Sequence, residues 1–210
     1  MTARVIAVAQ QKGGAGKTTF AAQLAVAWAA KKSVALMDID PQGSLSAWHG
    51  LRVASERALD DIHLSSVSGW RVAMELDRLK SDFDIVLIDC PPHADTETKN
   101  AMRAADLVVI PVQPSPMDVW ATAPTAEFAD EQGTPVRLVL NRVPPRSRLV
   151  EAVQAMLKDK KLKLTKNHLG NRVAFAASMM EGMGVTESER SSQAAKEINA
   201  LAKEIEKAAS

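Results

Sequence analysis

Five short apolar runs divide this chain, and none of them alternates with polar residues. They are Val5–Ala9, Val34–Met37, Ile85–Ile88, Leu107–Val112 and Val136–Leu140, each nearly continuous in Val, Ile, Leu and Ala. Such runs suit strands covered on both faces, as in a parallel sheet. Helical spacing governs Lys17–Lys31, Trp70–Lys80, Glu97–Ala104, Met117–Glu131, Leu149–Lys158 and Ser191–Ala208. Ser68 and Ser147 are placed to cap the second and fifth of these. The alternation predicts an α/β fold, a doubly wound, mostly parallel sheet flanked by helices. Residues 51–68 and 159–171 carry no readable period. With 210 residues and no repeat or linker, the chain reads as a single domain, 1–210.

Ligands of such folds bind outside the carboxyl ends of the strands. The unusual residues fall there: Gln10–Thr19, Asp38–Ser44, Asp89–His93, Pro111–Asp118 and Asn141–Pro145. Composition is that of an ordinary globular protein, 46% apolar and 24% charged. One cysteine, no signal peptide and no apolar run of about 18 residues lead us to expect a cytoplasmic protein.

Gln11-Lys12-Gly13-Gly14-Ala15-Gly16-Lys17-Thr18-Thr19 follows the first apolar run directly. The glycines let amide N–H groups approach phosphate oxygens, and the helix starting near Lys17 adds its N-terminal dipole. Lys17 is placed for the β- and γ-phosphates and the Thr18 hydroxyl for Mg²⁺. Gln11 stands where the pattern GxxxxGKS/T has its first glycine, and Lys12 is an additional lysine. Asp38 and Asp40, one residue apart, would point to opposite sides if extended and so have different tasks. Asp89 ends an apolar strand, the Walker B arrangement, and is expected to hold a water ligand of Mg²⁺. Pro91 and Pro92 stiffen the loop after it. Cys90 reads as a buried small residue. Ser115 and Pro116 suit a helix start.

The deviant KGGxGKTT loop and the blocks at 38–44, 85–92 and 107–120 resemble the ParA/MinD family of partition and positioning ATPases. Length resembles its small ParA type, of which ParF is an example. The resemblance implies ATP and Mg²⁺ as cofactors, with Lys12, Gly13, Gly14, Ala15, Gly16, Lys17, Thr18 and Thr19 on the phosphates. It implies Thr18, Asp40 and Asp89 around the metal, and Lys12, Lys17 and Asp40 as catalytic residues. Asp40 would orient the attacking water. Lys12 would cross to the nucleotide of a second subunit in an ATP-bound homodimer. Asn141 would bond adenine with Arg142 beside it, although an Asn in a plain strand–loop turn fits the sequence equally. The acid two residues after the Asn of GTP-selective proteins is absent. Slow hydrolysis stimulated by a ParB-like adaptor would position a plasmid, a chromosome locus or a protein assembly on the nucleoid.

From Arg142 to Arg172 there are nine Lys or Arg against Glu151 and Asp159, in a chain whose net charge is +1. Such a stretch suits nonspecific DNA and a merely solvated face alike. The DNA candidates are Arg146, Arg148, Lys160, Lys161, Lys163, Lys166, Arg172 and Lys203. A MinD-like membrane-associated ATPase is the alternative. The stripe Ala194, Ile198, Leu201, Ile205 and Ala208 in the last helix is narrow, however, and reads better as core. Iron–sulfur carriers would need bridging cysteines, and tyrosine-autophosphorylating relatives a tyrosine, which is absent.

Overall fold

Successive residues of the first strand face opposite layers. Val5 and Ala7 enter one hydrophobic core, and Ile6 and Val8 the other. Both sides of the strand are therefore apolar, which is why its sequence does not alternate. The computed structural model describes residues 3–59, 61–93, 95–157 and 162–210. In chain order the elements are β1 (Arg4–Val8), α1 (Lys17–Ala29), β2 (Val34–Asp38), α2 (Ser44–Ala54), β3 (His63–Ser66), α3 (Arg71–Asp82), β4 (Ile85–Asp89) and α4 (Thr96–Ala104). They continue with β5 (Leu107–Val112), α5 (Pro116–Trp120), α6 (Ala123–Glu131), β6 (Val136–Leu140), α7 (Leu149–Leu157), α8 (Val173–Met180), α9 (Val185–Ser188) and α10 (Gln193–Ala208).

The strands form one parallel sheet in the order β3-β2-β4-β1-β5-β6. Register aligns the site. Val8 and Asp38 both pair with Asp89, so the entry to the glycine loop and two acids lie level across three adjacent strands.

Helices α1 and α10 dominate the core on one face, where Phe20, Leu24 and Trp28 meet Ile198, Leu201 and Ile205. Trp28 Nε1 donates to the Ala202 carbonyl at 3.3 Å. The apolar stripe of α10 is thus spent on α1, as expected for core. No helix among the described residues is long and apolar enough to cross a membrane.

Several expectations need correction. Met117–Glu131 is two helices, because Pro124 falls in the first turn of α6, where its missing N–H is harmless. Ser68 caps nothing; α3 starts at Arg71, and its N-cap, Trp70, makes no side-chain bond. Ser147 does accept the Leu149 N–H, at 3.0 Å, and Ser115 caps α5 through the Asp118 N–H. Strand β3 and helices α2, α8 and α9 were not foreseen. Lys158, Lys160 and Lys161 lie outside the described residues.

Candidate functional site

The loop from Ala9 to Gly16 turns from β1 into α1. Gly16 is the N-cap of α1 at φ 85°, and Gly14 has φ 78°. A side chain at residue 16 would be strained there, and its Cβ would stand 2.8 Å from Asn141 Nδ2. Three side chains hold the loop by its carbonyls. Asn141 Nδ2 donates to Ala15 O at 2.9 Å. Gln113 Nε2 and Arg142 Nη1 both donate to Gly14 O, at 3.2 and 3.4 Å. Asn141 Oδ1 accepts the Arg142 N–H at 3.0 Å, and Arg142 adopts φ 55°, sparsely populated for a non-glycine residue.

Asn141 and Arg142 also wall a cavity of about 370 Å³ beside the loop, together with Thr19, Phe20 and Phe175. Its position against the first turn of α1 is where a base joined to loop-bound phosphates would lie.

Lys17 opens α1 and is buried. Burial lowers its pKa, opposed by Asp89 and Asp40. Asp89 is 1% exposed, and neither carboxylate oxygen accepts a hydrogen bond of good geometry. Burial pushes its pKa up to about 7; the adjacent Thr18 hydroxyl pulls down, Asp38 pushes up, and Lys17 pulls down. A buried, unpartnered carboxylate beside a hydroxyl fits a divalent cation with oxygen ligands. Among the described residues no cluster of three or more His, Cys, Asp or Glu forms a cage.

Asp38 and Asp40 differ in burial and in hydrogen-bond partners. Asp38 is buried and committed: Oδ2 accepts from Ser46 N at 2.9 Å and Ser46 Oγ at 2.6 Å, and Oδ1 from Asp40 N at 3.1 Å. It ties α2 to the loop. Asp40 is partly exposed and close enough to Lys17 to oppose the lowering of its pKa; its Oδ1 accepts the Gln42 N–H at 2.9 Å. Cys90 is fully buried, and burial pushes its thiol pKa up, so it is unreactive.

Lys12 is folded back within its own chain. Its Nζ lies 2.7 Å from Asp118 Oδ2 at the start of α5, and Ser115 Oγ donates to the same carboxylate oxygen. Neither Asp118 nor Gln113 was assigned a role from sequence, although both lie in a block singled out there.

The basic candidates separate as well. Arg146, Arg148, Lys163, Lys166 and Lys203 are exposed. Arg172 is paired with Glu197, Nη2 to Oε1 at 2.5 Å, so its charge is neutralised at the surface. Lys196, Lys203 and Lys207 share the exposed side of α10.

Comparison with known proteins places these features in context. Residues 6–185 match the family described as the CobQ/CobB/MinD/ParA nucleotide binding domain. The sequence is 32% identical over 211 residues, 95% of each chain, to the maintenance of carboxysome distribution protein A of Halothiobacillus neapolitanus. The cell division ATPase MinD of Pyrococcus furiosus superposes with a TM-score of 0.78, covering 97% of this chain and 98% of that one at 23% identity. An ATP complex of a Cyanothece McdA variant superposes at 0.79, covering 97% and 96% at 18% identity. At these identities the two structures establish the fold.

Proposed function

Because this chain belongs to the CobQ/CobB/MinD/ParA nucleotide-binding domain family, we propose that it is an ATP-driven dimerising switch that positions a cargo. The observation that carries this reading is Lys12, a second lysine in a loop that already has Lys17. Lys17 and the amides of Gly13–Thr19 bind the phosphates of the chain's own nucleotide. Asn141 and Arg142 hold the base in the cavity they line. Thr18 and Asp89 would hold Mg²⁺, with Asp40 close by. When bound, Mg²⁺ neutralises charge on the phosphates. Asp40, whose carboxylate is the less committed of its pair, orients the attacking water. Lys12 leaves Asp118 and reaches the nucleotide of a second copy.

Hydrolysis is slow and stimulated by a ParB-like adaptor. The likeness to a carboxysome-distribution protein across 95% of both chains favours a protein assembly as cargo over a plasmid or chromosome locus. The track is nonspecific DNA, gripped by Arg146, Arg148, Lys163, Lys166 and Lys203 of a nucleoid-associated dimer. Doubling these cations by dimerisation makes retention nucleotide-dependent. The membrane alternative loses support because α10 buries its apolar stripe against α1.

The test is retention on double-stranded DNA with ATP, with ADP and across a salt series. Retention only with ATP, falling steeply with salt, is expected. Retention on anionic liposomes and none on DNA would reverse the reading.

A further inference from the structure

Helix α2 is fastened at both ends. Near its start, Ser46 donates twice to Asp38 Oδ2. Less than two turns later, roughly 9 Å along the axis, Arg52 is 4% exposed and forms a two-pronged ion pair with Glu187. Nη2 meets Oε1 at 2.8 Å and Nη1 meets Oε2 at 2.9 Å. Arg52 Nη1 also donates to Gly182 O at 3.2 Å. Glu187 accepts from Gly184 N and Leu59 N, both at 3.1 Å. The approach is close: a Cβ on Gly182, at φ 68°, would collide with the Arg52 backbone nitrogen.

The other end of this chain of contacts is Asp40. Asp38, held by Ser46, accepts the Asp40 N–H through Oδ1. Gly43, the N-cap of α2, donates to the Asp40 carbonyl at 2.9 Å. The Asp40 N–H and C=O are thus held by Asp38, itself bonded to Ser46 of α2, and by Gly43, the N-cap of α2. The α8–α9 turn that Arg52 grips is in turn fixed to the phosphate-loop helix by Gln23. That side chain donates to Ser178 Oγ at 2.9 Å and accepts the Val185 N–H at 2.8 Å.

We propose that Arg52, through its pair with Glu187, is a positioning residue for Asp40, fixing α2 and hence the turn that aims the Asp40 carboxylate. This rests on the ATPase reading given above. The contacts of Arg52 with Glu187, the Gly182 carbonyl and the Trp48 ring lie outside the glycine loop, so its loss leaves nucleotide affinity in place while turnover drops.

The experiment compares wild type, Arg52→Met, Arg52→Lys and Glu187→Gln by steady-state ATP turnover, by affinity for a fluorescent ATP analogue and by thermal melting. Arg52→Met is expected to lose roughly 10- to 100-fold in turnover, as for a misplaced catalytic group, with affinity held within about twofold. Arg52→Lys keeps the charge without the fork and should fall between it and wild type. Should Arg52→Met fail to fold, Glu187→Gln, which retains the side-chain volume and one acceptor, carries the same comparison. Variants that fold and turn over ATP as wild type does overturn the positioning role alone. Variants whose affinity falls in step with turnover overturn it too. Wild-type protein that binds the analogue and hydrolyses no ATP sinks the ATPase reading, and this inference with it.

Discussion

The Nζ of Lys12 and the Oδ2 of Asp118 are 2.7 Å apart, joining residues 106 positions distant in sequence. The lysine proposed to reach a second subunit's nucleotide is bonded within its own chain. Lys12 keeps 39% of its side chain exposed while Asp118 keeps 7%, so the bond is screened on one side only. Solvent limits such a pair to about 1 kcal/mol. Two such pairs break per dimer, so Asp118→Asn should lower the protein concentration at which ATP produces dimers by up to roughly 30-fold. Sedimentation velocity with ATP reads this; an unchanged midpoint would show that the pair does not restrain Lys12.

The two lysines should separate by assay. Lys17→Ala is expected to abolish binding of a fluorescent ATP analogue, because this cation is buried at the head of α1, directly after the glycine loop. Lys12→Ala should bind the analogue normally yet stay monomeric with ATP. Binding in the first variant, or a normal dimer in the second, would refute the corresponding assignment.

Gly16→Ala tests the packing between the glycine loop and Asn141. The substitution meets both a left-handed φ and a 2.8 Å contact with Asn141 Nδ2. A cost of about 1–3 kcal/mol in stability is expected from the backbone alone. Nucleotide affinity should fall as Asn141 is displaced. Chemical denaturation gives the first quantity and titration calorimetry the second. A variant as stable as wild type would mean that the loop readily adopts another shape.

Glu204 provides a pH-dependent test. Burial raises its pKa, but donation from the Lys166 and Asn167 amides and the Asn167 side chain outweighs that, so the net shift is downward. A carboxyl group with a lowered pKa stabilises the fold above its ordinary value of 4.5 and loses this contribution as pH falls through the folded value. Glu204→Gln should melt below wild type at pH 7, and the gap should close toward pH 3. A gap of constant size across that range would rule out the ionised form as the source.

The parts of this molecule legible in its sequence are those whose logic is local. Strands buried on both faces announce themselves as unbroken apolar runs, and the phosphate loop, Asp40 and Asp89 lie at their ends. Strand β3 escaped because it is an edge strand. His63 and Ser66 are exposed and only Ser65 is buried, so its four residues show neither an apolar run nor a clean alternation. Helix α2 escaped because the third member of its buried face, after Leu45 and Trp48, is Arg52. An arginine reads as solvent-facing until Glu187, 135 residues away, is seen against it. The same separation hid Asp118 from Lys12. The partner of Arg172, Glu197 on another element, was hidden for the same reason.

The burial of α10 dictates how its lysines can be probed. Clipping the chain after Ala202 would take away Lys203 and Lys207, but also Ile205, one of the side chains packed over α1. The helix so uncovered is the one that begins with Lys17. Such a shortened protein would lose its grip on nucleotide for reasons unrelated to surface charge, and a missing track interaction would be misread. Charge-reversing point changes at Lys196, Lys203 and Lys207 leave that packing in place and ask the electrostatic question alone.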